Sequence, residues 1–213
     1  MDSNVKWVNE EKILRTIASL EKNNMNGYIV SSKEELISQI ISLTNEGEKV
    51  SCGGSMSLAE TGVMDLLRSG RYDFLDRAKE GLSVEDIDRI YRECFFADTY
   101  FSSSNAITED GELYNVDGNG NRVAALLFGP KKVIIVAGVN KIVKNLDEAI
   151  KRNREIAAPA NAKRLNKSTP CTKIGYCMDC KSPEKICREY TVIKSQKDKN
   201  RIHVIFLNDN IGY

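Results

Sequence analysis

Lys131-Lys132-Val133-Ile134-Ile135-Val136-Ala137-Gly138 decides the fold. The apolar run Val133–Val136 has the length of a strand and shows none of the polar alternation of a strand with one wet face. An uninterrupted run of this kind suits a parallel strand covered on both sides. Just before it, residues 121–128 have a helical pattern, and after it residues 146–157 form another helix. Further upstream, Val8, Ile13, Leu14, Ile17, Leu20 and Met25 recur at helical spacing, followed by a short strand over 27–31. Ser31-Ser32-Lys33-Glu34-Glu35 supplies a cap and acidic first turn for a helix reaching about Leu43. A strand near Lys49–Cys52 then meets Gly53-Gly54-Ser55 and a helix over about 57–67. Residues 72–75 are a weak strand candidate, and Ser83-Val84-Glu85-Asp86 caps a helix to about Cys94. Residues 98–116 read as a hairpin turning at Glu109-Asp110-Gly111, and strand pattern returns over 191–194 and 202–207. Strands alternating with helices predict an α/β fold with a mostly parallel, doubly wound sheet flanked by helices, in which the strands near Val50 and Val133 belong to the core.

The chain has 213 residues, which matches one domain over 1–213. Its 41% hydrophobic and 29% charged residues are those of a folded globular protein. With 31 Lys and Arg against 30 Asp and Glu, bulk charge offers no basis for nucleic-acid binding. No apolar run is long enough for membrane insertion, and the acidic start, with Asp2, Glu10 and Glu11, lacks the basic lead and apolar stretch of a signal peptide. A cytoplasmic protein is expected. Trp7, Tyr91, Phe95, Phe96, Tyr100 and Phe101 are expected in the core. His203, the only histidine, falls in a strand, so a histidine-based triad is excluded by count.

Two polar constellations could carry chemistry. Gly53, Gly54 and Ser55 lie between a strand and a helix, where backbone N–H groups can approach an anion. The bland alternative is a tight turn and helix cap. Asn105, Thr108, Glu109, Asp117, Gly118, Asn119 and Arg122 lie in two turn-rich segments separated by one short strand. They could border a metabolite cleft, with Arg122 offering paired bonds to a carboxylate or phosphate, or serve turn geometry alone. The cleft hypothesis places both constellations on one pocket. The basic stretch 141–167, including Lys141, Arg152, Arg154 and Arg164, reads as the solvated face of a helix, with an anion-facing surface as the alternative.

After Arg164 the composition changes, and about 166–188 reads as an irregular cysteine-rich insert between elements of the main sheet. It carries Cys171, Cys177, Cys180 and Cys187 in a segment with little core to hold them. Four thiolates can close a zinc site or hold an iron–sulfur cluster. A redox-active Cys177–Cys180 pair or unliganded thiols are the alternatives. Cys52 and Cys94 read as small core residues.

The strings SCGGSMSLAETG, SSNAITEDGELYNVDGNGNRVAALLFGPKKVIIVAGVNKIV and NREIAAPANAKRL resemble the LUD family, the lactate-utilisation protein C-like proteins. The resemblance implies a fold like that of ribose-5-phosphate isomerase A and the CoA transferases. It also implies a place beside iron–sulfur partner proteins that oxidise lactate to pyruvate. Carried over by position, Gly53, Gly54 and Ser55 correspond to the anion loop of that fold. Asn105, Thr108, Glu109, Asp117, Gly118, Asn119 and Arg122 correspond to the rim of its substrate cleft, with Glu109 as the carboxylate able to act as base or nucleophile. Three functional readings follow: a lactate-utilisation accessory protein or enzyme subunit binding a small anionic metabolite, a stand-alone isomerase or CoA-transferase-like enzyme on a phosphorylated or acyl-CoA substrate, and a non-enzymatic, metal-bearing interaction module.

Overall fold

A computed structural model describes residues 2–213 and leaves Met1, the first residue of the expected domain, outside the described part. In chain order its elements are α1 (Ser3–Lys22), β1 (Asn26–Val30), α2 (Lys33–Leu43), β2 (Lys49–Cys52), α3 (Met56–Glu60), α4 (Val63–Arg68), β3 (Asp73–Phe74) and α5 (Val84–Glu93). These are followed by β4 (Thr99–Ser102), β5 (Ala106–Thr108), β6 (Leu113–Asp117), α6 (Asn121–Leu127), β7 (Lys132–Gly138) and β8 (Ile142–Val143). The last elements are α7 (Leu146–Arg152), α8 (Ala158–Arg164), α9 (Cys171–Ile174), β9 (Glu189–Ile193) and β10 (Ile202–Leu207).

Six strands form one sheet in the order β1-β10-β7-β4-β2-β3, and every pairing is parallel. The run Val133–Val136 lies in β7, near the middle, and its side chains divide between two cores. Val133 and Ile135 pack with Ile13 and Leu20 of α1, Ala125 and Leu126 of α6, and Ile107 and Leu113. Ile134 and Val136 pack with Leu36 and Ile40 of α2, Leu58 of α3, and Val63 and Leu67 of α4. All four are fully buried, and each contributes about 1.5–3 kcal/mol of apolar transfer free energy. The alternating side-chain directions of a strand thus explain why an uninterrupted apolar run is needed: both faces are dry.

Local signals place the helix starts. The Ser32 Oγ accepts from the Glu35 N–H at 3.2 Å, and Ser83 and Asp86 form a reciprocal capping box. The helix expected over 57–67 is two short helices, because Gly62 takes a left-handed φ of 77° between them.

A second sheet, in the order β8-β5-β6-β9, lies beyond the sequence expectation. The expected hairpin over 98–116 divides between the two sheets: β4 joins the parallel one, while β5 and β6 pair antiparallel in the second. Residues 189–193 pair antiparallel with β6, so the insert is bounded by the second sheet rather than lying between two elements of the main one. Trp7 and Phe96, expected inside, are 60% and 86% exposed, whereas Tyr100 and Phe101 on β4 are buried. Aromatic composition does not tell which face of an element is covered. No described helix is long and apolar enough to cross a membrane.

Between α7 and α8 the helical path widens into a single π turn, Asn153–Ala157, where the Ala158 N–H reaches back to the Asn153 carbonyl. Pro159 follows directly, in the first turn of α8.

Candidate functional site

Parallel strands β2, β4 and β7 end on the same side of the sheet, and each runs into a segment that faces one cavity of about 560 Å³. Strand β2 leads to Gly54 and Ser55, β4 leads to Ser103–Asn105, and β7 leads through a 3-10 turn, Val139–Lys141, to Lys141. This is the crevice at the carboxyl ends of strands where open α/β sheets bind ligands. Asp117, Gly118, Asn119 and Arg122 line the same space, so the glycine turn and the polar segments border one pocket. Asn161 and Arg164 of α8 and residues 183–186 and 188 of the cysteine-rich segment complete the wall.

Arg122 does not present its guanidinium to this space as a ligand fork. Its Nη1 donates to the Ser103 carbonyl at 3.2 Å and the Asn115 Oδ1 at 2.6 Å. Its Nη2 donates to the Asn105 Oδ1 at 3.1 Å and the Val116 carbonyl at 2.8 Å. The Asp117 carboxylate lies 3.8 Å from Nε. Burial lowers the Arg122 pKa against the opposing pull of Asp117. The arginine therefore ties the loop after β4 to β6 and shapes the cleft from behind. Gly53 accommodates it: a β-carbon there would stand 2.9 Å from the Arg122 Cδ. Asp117 is likewise spent on backbone, accepting from Gly118 N–H at 2.7 Å and from Val123 N–H at 3.0 Å. Asn105 accepts from Val116 N–H at 2.9 Å, and Ser55 caps α3 by accepting from Leu58 N–H at 3.3 Å.

The cavity's other basic side chains are less fully engaged, with Arg164 donating to the Asn161 Oδ1 and Arg188 to the Lys185 and Pro183 carbonyls. Arg77, Lys141, Arg164, Lys167, Lys185 and Arg188 all line it, and none forms an ion pair with a carboxylate among the described residues. Arg77 lies over the Tyr91 ring, 5.5 Å from its centroid, and donates to the Tyr91 hydroxyl at 2.9 Å. Lys141 is 3% exposed and donates to the Ser103 Oγ at 3.0 Å. Burial, with Arg152 and Arg122 nearby, pushes its pKa down to about 7, and Glu60 pulls weakly the other way. Arg152 is buried too, donating to the Asn140 and Asn105 carbonyls. The expected solvated face thus holds for Lys144, Lys151, Arg154, Lys163 and Arg164 and fails for Lys141 and Arg152. Lys141 could have been singled out by its place, three residues beyond the end of β7. Ser103 carries the same kind of signal, directly after the end of β4, whereas Arg77 carries none.

Thr108 and Glu109 lie away from this cavity. Thr108 is buried, its Oγ1 accepting from Glu112 N–H at 3.0 Å in the turn between β5 and β6. Glu109 lies at that turn, 3.6 Å from Arg15 of α1. Neither lines the cleft.

Cys171, Cys177, Cys180 and Cys187 are half-buried free thiols that line one small cavity of about 10 Å³ with Ala158, Ala162 and Ile186. Burial raises the Cys187 pKa, and neighbouring Cys177 and Cys180 add to the shift. No three Cys, His, Asp or Glu among the described residues are drawn together closely enough to hold a metal ion. The Arg154 carbonyl of the π turn accepts from Cys177 N–H at 2.8 Å, fixing the segment to the helix. On its other side, a β-carbon on Gly118 would stand 2.9 Å from the Ile186 Cα, so only glycine lets the backbones approach this closely. Lys185 and Ile186 face both cavities. Burial pushes Cys52 and Cys94 up to about 11, leaving both as protonated core thiols.

No curated relative matches the sequence. Among solved structures, the chain is similar to a DUF162 family protein from Deinococcus radiodurans, with 16% identity, a TM-score of 0.52, and coverage of 93% of this chain and 98% of that one. It also matches eIF2B beta from Chaetomium thermophilum, with 13% identity, a TM-score of 0.36, and coverage of 54% of this chain and 43% of that one. The LUD domain model matches residues 13–207, spanning both sheets, the strand-end cavity and the cysteine-rich segment. The chain therefore belongs to the LUD domain family, the lactate-utilisation type of protein.

Proposed function

We propose that the strand-end cavity binds a small anionic metabolite, lactate or pyruvate in class, and that the protein acts as an accessory protein or enzyme subunit beside iron–sulfur redox partners. The observation that carries this reading is that five cations, Arg77, Arg164, Lys167, Lys185 and Arg188, line one 560 Å³ cavity beside Lys141 and form no ion pair among the described residues, although the Asp117 and Glu184 side chains share its wall. Like charges gathered in this way repel one another until an anion joins them. Thermal shift and calorimetry with lactate, pyruvate, sugar phosphates and CoA thioesters test it. Lactate or pyruvate should raise the melting temperature. Each of Arg77→Gln and Arg164→Gln should weaken that anion about tenfold, the effect of losing one charge-assisted bond. Stabilisation by sugar phosphates or CoA instead would replace this reading with a stand-alone isomerase or transferase. Failure of every anion to bind would overturn it.

A second reading concerns the cysteine-rich segment, which we propose holds zinc or an iron–sulfur cluster. Four thiols lining one cavity support it, because thiolates are the donor set of both centres. Cys171, Cys177, Cys180 and Cys187 would hold the group, which would draw the segment together as metal binding orders a loop. Metal analysis and absorbance of anaerobically purified protein should show one centre per chain, lost in Cys177→Ser. Metal-free, colourless protein would overturn it.

A further inference from the structure

Lys141 is a buried amine at the wall of a solvent-reaching cavity, and among the described residues its one side-chain hydrogen bond is to a hydroxyl. An ammonium in that position would need further acceptors, and the groups that face it supply few. Arg122 and Arg152 are cations, and Glu60 acts on it only weakly from a distance. The Ser103 hydroxyl that it contacts also lines the cavity, and the Ser103 carbonyl is fixed by Arg122. A neutral lysine amine beside a hydroxyl, within a ring of cations, is a nucleophile placed where an anion would be held.

We infer that Lys141 condenses reversibly with the carbonyl group of an anionic oxo compound held in this cavity. The inference rests on the anion-binding reading above and adds the ligand's second functional group. The Lys141 nitrogen attacks the carbonyl carbon, the C=O π electrons pass to oxygen, and the Ser103 hydroxyl relays a proton to that oxygen. Loss of water from the resulting carbinolamine leaves a C=N bond. The amine gives up both hydrogens, which leave with the carbonyl oxygen as water, and nothing is oxidised or reduced. The near-neutral pKa of Lys141 keeps a large fraction of the amine unprotonated at physiological pH. The anion beside the carbonyl is a carboxylate in a 2-oxo acid or a phosphate in a phosphorylated ketone, and both present the same chemistry to the site.

Borohydride trapping decides the matter. The full chain is incubated with pyruvate in one arm and dihydroxyacetone phosphate in the other, reduced with sodium borohydride, digested, and mapped by mass spectrometry. The expected result is a reduced secondary amine on Lys141 in at least one arm, and the reactive arm identifies the ligand's anion. Lys141→Met, which replaces the stem with an apolar one of similar length, should lose the adduct while keeping its thermal unfolding transition. Ser103→Ala should retain Lys141 labelling but slow it about tenfold, a loss within the usual contribution of a positioned proton relay. Labelling confined to surface lysines, or no adduct while thermal shift shows either probe bound, would overturn the imine and leave the anion site standing. Absence of both binding and adduct would overturn the two together.

Discussion

Arg122→Ala tests whether this arginine holds the cleft in shape. In the structure the side chain makes four hydrogen bonds to acceptors on the loop after β4 and on β6, and its side chain is 13% exposed. A hydrogen bond from a charged donor contributes about 1.5–3 kcal/mol, so four would sum to more than any single substitution removes. Water entering from the cavity would satisfy part of what alanine leaves bare. The fitting comparison is truncation of one partner in a buried charged network, which costs about 3–5 kcal/mol. At about 2–4 °C per kcal/mol for a chain of this size, the melting temperature should fall by about 6–20 °C. Thermal unfolding followed by circular dichroism measures this directly. Arg122→Lys keeps the charge but not the fork, so it should recover only a minor part of the loss. If Arg122→Ala melts within about 2 °C of the parent and alters only anion affinity, the donors are not spent internally as described and the arginine is a ligand-binding group.

Gly118→Ala should displace the segment around Ile186, at a cost of about 1–3 kcal/mol, seen as faster amide exchange over residues 183–188. The pKa of Lys141 is about 7 in the fold against 10.5 outside it. Between these values the unfolded chain binds more protons, so stability should rise with pH from about 7 upward. Lys141→Met should flatten that rise in urea titrations. Burial lowers the His203 pKa below 6.5, although its ring bonds to the Asn200 carbonyl. That residue's share of stability is present above pH 6.5 and is lost as acidification protonates the unfolded chain first. His203→Gln should reduce the fall in urea midpoint between pH 7 and pH 5.5.

The fold was legible where information is local. Val133–Val136 shows its burial by having no polar interruption, and Ser32 and Ser83 announce helix starts through bonds made within three residues. Pairing of β6 with β9 joins segments far apart in sequence, and nothing near Tyr190 or Val192 marks β6 as their partner. For the cleft, placing polar residues at strand ends was enough to bring Asn105, Asp117 and Arg122 to the glycine turn. Residue type did not reveal where their hydrogen bonds are spent. A guanidinium in a polar loop looks like an anion receptor until its acceptors are known. Lys141 was hidden for the opposite reason: its basic neighbours along the chain suggested solvent, while the β7 terminus carries it inward.

Pro159 has no N–H to give, and in the wide register set by Asn153 and Ala158 the carbonyl left without a helical donor is that of Arg154. That oxygen receives Cys177 N–H instead. Helical continuity and attachment of the cysteine-rich segment therefore compete for one acceptor, and proline settles the competition in favour of attachment. Pro159→Ala would put a better helix former at this position. It would also restore a rival donor, so the helix would become more regular as its hold on the thiols weakened.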